Sequence, residues 1–130
     1  MKFLQPPGWP RPKGYSNGIS AEGRLVFVAG QVGWNAEEKI VSDRFADQAR
    51  QALANIVAIL AEGGAKPEHI VRMNWYVTDR QEYLDSLGEV GAVYRELIGK
   101  HFPAMMACEI SGLVEDGAKV EIEVTAVVPA

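Results

Sequence analysis

A carboxylate in the last apolar stretch of the chain has the clearest capacity for chemistry. Glu121 lies between Val120 and Ile122, so a strand at this position would hold its carboxylate in a partly desolvated place. A carboxylate in such surroundings can serve as a general base. The alternative is a structural carboxylate at an interface, paired with Arg72 or Lys119. The residues alone leave both interpretations open.

Other candidate nucleophiles and metal ligands have weaker support. Residues 14–18 (GYSNG) match the G-x-S-x-G pattern of serine hydrolases, but that pattern needs a strand before the serine and a helix after it. Cys108 alternates with Met106, which is typical of a small buried hydrophobic side chain. His69 and His101 lack the spacing that would place both on one helical face. The sequence therefore predicts no metal site and no cofactor.

An aromatic residue in a glycine-rich loop is a candidate ligand contact. Trp34 follows residues 30–33 (GQVG) at the predicted end of a strand, and aromatic rings in such loops often contact ligands. Ordinary packing of the indole is the alternative. Trp34 is thus predicted to bind ligand rather than to act on it.

The composition limits the classes of function. A chain of 130 residues has the size of one domain. The net charge of −4 disfavours binding to nucleic acid, which depends on clustered cations. The chain has a single cysteine and no run of apolar residues long enough to cross a bilayer. These features predict a soluble cytoplasmic protein with no membrane partner.

The pattern of apolar residues predicts the elements that must position these side chains. Prolines dominate the first dozen residues, so residues 1–14 are expected to form an extended arm. The helix before Gly63 is expected to be capped by Ser42 or Asp43. The predicted elements are a hairpin of strands 15–20 and 24–30, a helix that follows Ser42-Asp43 and ends at Gly63-Gly64, a strand over 70–77, a helix over 80–99, and a hairpin of strands 105–110 and 119–128.

These elements indicate an α+β fold, a mixed β-sheet with two helices on one face. In the final strand Glu121, Glu123 and Thr125 share the face away from the helices. Neighbouring strands would add Trp75 or Tyr76 and one of the Met/Cys registers to that face. Because a monomer seldom leaves such a partly apolar face in water, the sequence predicts oligomerisation through the sheet.

Five segments together carry a resemblance over nearly the full chain. They are residues 14–17 (GYSN), 28–31 (VAGQ), 48–56 (QARQALANI), 102–104 (FPA) and 120–123 (VEIE). With these segments the sequence is similar to the RidA (YjgF) family of reactive-intermediate deaminases, whose members are often labelled endoribonuclease L-PSP. The resemblance implies a chorismate-mutase-like protomer, three of which close their sheets into a barrel with ligand clefts between neighbours.

The resemblance also implies a reaction and a set of site residues. Family members hydrolyse enamines and imines to a carbonyl compound and ammonia without a cofactor. Tyr15 and the Gly30-Gln31 backbone would contact the substrate, and Glu121 corresponds to the carboxylate that positions water. The family arginine that clamps the substrate carboxylate is replaced by Met105, and the serine after it by Met106. A thioether cannot form that charged, bidentate contact.

The lost arginine leaves three expectations for the cleft, which would then contain no arginine. The substrate could be a more apolar imine or enamine that packs on Met105, Met106 and Trp34. The cleft could instead bind a small ligand without turning it over, or a carboxylate could be held by another cation such as Arg11 or Lys13, or by Arg72. A ribonuclease is disfavoured because the acidic chain lacks a basic stripe.

Overall fold

The computed structural model describes residues 1–130 and confirms the α+β fold with a mixed sheet. Helices cover one face of a four-stranded sheet, and a small two-stranded sheet lies beside it. The elements are β1 (Lys2–Leu4), β2 (Gly18–Ser20), β3 (Arg24–Val32), α1 (Phe45–Glu62), β4 (Ile70–Val77), α2 (Arg80–Asp85), α3 (Leu87–Leu97), β5 (Ala104–Glu109) and β6 (Val120–Val128).

The main sheet has the strand order β3-β6-β4-β5, which differs from the order expected from the turns. Strand β6 pairs antiparallel with both β3 and β4, whereas β5 pairs parallel with β4 at the sheet edge. The predicted hairpin between the last two strands is therefore wrong. Its turn does form, with Gly117 at a φ of +81°, but a turn signal is local and does not choose the strand's partner.

The first predicted hairpin is also wrong, because β2 pairs with β1 and not with β3. Strand β1 forms within the segment expected to be an unpaired arm. It ends at Leu4, before the first proline at Pro6, so its backbone donors are free to pair. The rest of the arm is held at Ser16, whose N–H donates to the carbonyl of Pro103 at 3.0 Å and whose hydroxyl donates to the carbonyl of Phe102.

Helix α1 is the main helix against the sheet, and its end confirms the prediction. The chain leaves the helix at Gly63, and Gly64 adopts a φ of +70° that glycine tolerates well. The N-cap residue is Arg44, whose side chain makes no capping hydrogen bond, so the prediction of Ser42 or Asp43 as the cap is wrong. The Ser42 hydroxyl does accept the N–H of Arg44 at 2.9 Å. One face of α1 is buried: Phe45, Ala49, Ala52, Leu53, Ile56 and Leu60.

The predicted second helix is two helices, with a break at Ser86. Asp79 caps α2 by accepting the N–H of Glu82 at 3.1 Å. The Ser86 hydroxyl donates to the carbonyl of Glu82 at 2.8 Å, and serine bonding of this kind competes with regular helical structure. Helix α3 therefore begins separately, and this sets the face that it turns toward the sheet.

The sheet face away from the helices is uncovered and partly apolar. Phe27 is 71% exposed, Leu25 is 58% exposed and Met106 is 37% exposed. Cys108 is exposed as well, so the expectation of a buried cysteine is wrong within one chain. Tyr76 lies opposite Cys108 in the register. None of the helices is long and apolar enough to span a membrane.

Candidate functional site

Glu121 lies at the centre of a groove on the uncovered sheet face. Strand β6 is an inner strand, and Glu121 pairs in register with Tyr76 of β4. Glu121 makes no ion pair: Lys119 pairs with Glu82 at 2.9 Å, and Arg72 has no ion-pair partner. The ion pair of Glu121 with Arg72 or Lys119, which the sequence left open, is therefore absent within the chain. The Glu121 carboxylate is free to bind water.

Gly30 has no side chain, and the Glu121 carboxylate occupies the space that a side chain at this position would take. A methyl carbon added at Gly30 would lie 2.5 Å from Glu121 Oε2 and 2.8 Å from its Cδ, which is closer than van der Waals contact. The pairing of β3 with β6 shifts between Val28 and Gln31, and such bulges often redirect side chains near functional sites. The predicted contribution of Gly30 thus has a steric basis next to the predicted base.

A hydrogen-bonded group lies beside Glu121 on the same face. Glu123 accepts the Tyr76 hydroxyl at 2.8 Å and the Asn74 amide at 3.1 Å. The hydrogen bond to Glu123, with a contribution from desolvation, raises the pKa of Tyr76 above its ordinary value. Both donors bind Oε1 of Glu123, whereas Glu121 accepts no hydrogen bond from another side chain of the chain. The carbonyl oxygen of the Asn74 side chain is buried without a partner.

Met105 faces the opposite side of the sheet and lines a separate cleft. It pairs with Met73 of β4, whose side chain is buried under the helices. The cleft has a volume of about 370 Å³ and opens between the edge of the sheet, α3 and the N-terminal arm. Aromatic and apolar side chains form most of its wall: Trp75, Tyr83, Leu87, Val90, Tyr94 and Phe102.

This cleft contains two cations. Arg95 lines it from α3, and Lys13, one of the cations named from the sequence, lines it from the arm. The cleft of Met105 was expected to be free of arginine, and in the structure it is not. Arg95 follows Gly91 by one helical turn, so the two share a face of α3. Helical spacing groups Arg95 with Leu87 and Gly91, but it does not show which cleft this face borders.

The remaining predicted residues lie in three other places. Met106 pairs with Asn74 and faces the uncovered side of the sheet. Tyr15 lines a pocket of about 510 Å³ formed by the arm together with Phe102. Trp34 lies in the turn after β3, where its carbonyl accepts the Asn55 amide at 2.9 Å, and it lines neither the Glu121 groove nor the Met105 cleft.

The predicted residues therefore do not meet in one pocket of a single chain. Gly30 and Met106 share the sheet face of Glu121, while Met105 lies on the other. The Gln31 amide donates to the carbonyl of Ala29 at 3.1 Å. No cluster of three or more His, Cys, Asp or Glu side chains suitable for holding a metal ion is present.

The mixed sheet, covered by helices on one face only, defines a small α+β protein. The family model described as Endoribonuclease L-PSP matches residues 10–128. The chain therefore belongs to this family, the RidA (YjgF) family, as the sequence resemblance indicated.

Curated relatives and a solved structure agree with this assignment. A RutC family protein of Pyrococcus abyssi is 36% identical over 82% of this chain and 82% of its own length. The 2-iminobutanoate/2-iminopropanoate deaminase of Salmonella typhimurium is 33% identical over 87% of this chain and 86% of its own. The crystal structure of the Rid protein YyfB from Yersinia pestis has a TM-score of 0.85 and 27% identity, covering 98% of both chains.

Proposed function

We propose that the protein hydrolyses reactive imines and their enamine tautomers to carbonyl compounds and ammonia, with Glu121 as the general base. The observation that carries this proposal is the free Glu121 carboxylate on the sheet face, next to the space left by Gly30. Membership of the family and the similarity to a 2-iminobutanoate/2-iminopropanoate deaminase support it. The reaction requires no group beyond water and the side chains named here.

The chemistry needs one group that can accept and return a proton. Water held by Glu121 forms a bond to the imine carbon, and the π electrons of the C=N bond move to nitrogen. Glu121 accepts the water proton and passes it to nitrogen, which gives a carbinolamine. The C–N bond then breaks as the hydroxyl forms the carbonyl. Glu121 carries the hydroxyl proton to the leaving nitrogen, so ammonia departs and the carboxylate is regenerated.

We propose that the complete site lies between subunits of a homotrimer. Glu121 and Met105 are on opposite faces of one sheet, so a single chain cannot direct both at one small substrate. A neighbouring copy would supply the second half, and the exposed apolar side chains Leu25 and Phe27 would be buried in such an assembly. Tyr15, Gln31 and Trp34 are proposed as contacts of that shared cleft. We place the protein in the cytoplasm, where its single Cys108 would remain reduced.

The proposed substrate is bulkier than 2-iminopropanoate. Met105 offers apolar contact where an arginine would clamp a small carboxylate, and Met106 presents a second thioether on the opposite face of the sheet. An imine with an apolar or aromatic side chain would gain from burying that side chain. The alternative is that the cleft binds a small ligand without turning it over. The observation that favours this alternative is the apolar wall of the cleft.

A panel of imines tests the proposed activity. Imines would be generated in situ from alanine, leucine and phenylalanine by an amino-acid oxidase, and ammonia release would be followed with the intact protein and with heat-denatured protein. We expect faster release, most strongly for the imines from leucine and phenylalanine. Unchanged rates for all three would contradict the activity. Stabilisation by ligands in a thermal-shift assay, together with unchanged rates, would support binding without turnover.

Restoring the family arginine should change the substrate preference. We expect Met105→Arg to raise kcat/KM for 2-iminopropanoate by about 10- to 100-fold, because a bidentate arginine–carboxylate contact contributes roughly 1.5 to 3 kcal/mol. Ile59→Arg, at an exposed position of α1 outside the cleft, is the control and should have no such effect. Equal rates for wild type and Met105→Arg would show that residue 105 does not contact the substrate carboxylate.

A further inference from the structure

Arg95 is an arginine on α3 without an ionic partner inside the chain. Two acidic residues of α3 are already paired with arginines, one at the N-cap of α1 and one within α1. Arg44 binds Glu89 at 2.7 Å, and Arg50 binds Glu96 at 2.5 Å. These pairs leave the guanidinium of Arg95 unneutralised at the cleft of Met105.

The face of α3 that carries Arg95 lines the cleft. Cleft-lining residues recur along α3 with helical spacing, and they are Leu87, Val90, Gly91, Tyr94 and Arg95. A methyl carbon added at Gly91 would lie 3.6 Å from Arg95 Nη1. The absence of a side chain at Gly91 therefore leaves open space beside the guanidinium, within the cleft.

The cleft contains cationic groups without a matching anion, while its Tyr94 hydroxyl already donates to the carbonyl of His101 at 2.6 Å. Lys13 adds a second cation, and no aspartate or glutamate lines the cleft. Burial raises the pKa of Tyr83 and that of Tyr94 above their ordinary values, so both phenols stay neutral. The indole N–H of Trp75, another lining residue, is buried without a hydrogen-bond partner. Buried donors of this kind are normally satisfied.

We propose that Arg95 binds the carboxylate of the ligand and so takes over, from the helix wall, the role that Met105 cannot perform. The occupant is a small carboxylate with an aromatic or branched apolar body, which packs on Trp75 and Met105. The cleft of about 370 Å³ lies within the usual range for small-molecule sites, roughly 300 to 1,000 Å³. The assignment of this ligand as a substrate rests on the proposed imine hydrolysis, but its binding does not.

A matched pair of unreactive probes tests the inference. Benzoate and benzamide have the same ring, but only benzoate carries a charge, and their dissociation constants would be measured by isothermal titration calorimetry. We expect wild type to bind benzoate more tightly than benzamide. Arg95→Met should raise the Kd of benzoate by about 10- to 100-fold, which is the loss of one charge-assisted arginine contact, and should change the Kd of benzamide less than about twofold.

Two further variants separate the local contact from a general charge effect. Lys100→Met removes the same charge from an exposed position outside the cleft and should leave the Kd of benzoate unchanged. Arg95→Lys keeps the charge without the bidentate geometry and should fall between wild type and Arg95→Met. This variant also decides the matter if Arg95→Met fails to fold.

Several results would overturn the inference. They are equal Kd values of wild type for benzoate and benzamide, no binding of benzoate, and an unchanged Kd of benzoate in Arg95→Met. Failure of the proposed hydrolysis would be recognised by a different result. If no imine is consumed while benzoate binding depends on Arg95, the cleft is a carboxylate-binding site in a protein without deaminase activity. If imines are consumed and Arg95→Met alters neither benzoate binding nor KM, only the role of Arg95 is wrong.

Discussion

Replacement of Glu121 by glutamine is expected to lower kcat/KM for imine hydrolysis by about 10²- to 10⁴-fold, the usual contribution of a general base. Glutamine has almost the shape of glutamate but cannot accept the proton of the attacking water. The side chain pairs with no cation in the chain, so the substitution breaks no ion pair. The melting temperature should therefore change little while the rate of ammonia release falls.

The same substitution at another exposed glutamate provides the control. Glu22 lies on the surface before β3, away from the groove of Glu121. Glu22→Gln removes one charge in the same way and should retain the wild-type rate. Imine hydrolysis at equal rates in wild type and Glu121→Gln would exclude Glu121 as the general base of the reaction.

Replacement of Gln48 by leucine is expected to lower the free energy of unfolding by about 3 to 6 kcal/mol. Gln48 is fully buried. Its amide donates to the carbonyls of Ser42 and Gly117, both at 2.9 Å, and its carbonyl accepts the N–H of Lys119 at 2.8 Å. Leucine would leave these three part-buried backbone groups without their partner, at roughly 1 to 3 kcal/mol each before relaxation.

Urea denaturation followed by circular dichroism would measure this loss. Gln81→Leu is the matched control, because Gln81 is exposed on α2 and bonds only to Asp85 within the same helix. That change should be within about 0.5 kcal/mol of wild type. A loss below about 1 kcal/mol in Gln48→Leu would show that water or a shifted backbone satisfies the three groups.

The elements of the fold could be predicted from the sequence better than their pairing could. Period-two alternation correctly placed Glu121 and Glu123 on the face of β6 away from the helices. The turn before β6 was also real, yet β6 enters the sheet between β3 and β4 and leaves β5 at the edge. Strand pairing depends on contacts between distant parts of the chain, which a local turn signal does not contain.

The composition of the site was harder to predict for the same reason. Alternation shows that Met105 and Met106 face opposite ways, but only the register with Met73 and Asn74 shows which of them faces the helices. Arg95 was missed because helical spacing does not show that α3 and the N-terminal arm enclose a cleft beside Met105. The sequence thus indicated single residues of the site, while their grouping required the sheet order.

The attachment of the N-terminal arm at Ser16 gives the cleft a wall that is independent of the sheet. Lys13 and Gly14 reach the cleft because Ser16 is fastened to the chain just before β5. Substitutions or changes of length in this leading segment could therefore change ligand selectivity while β6, the strand that carries the proposed general base, is left intact. The ligand specificity can then change through the arm, while β6 preserves the proposed reaction.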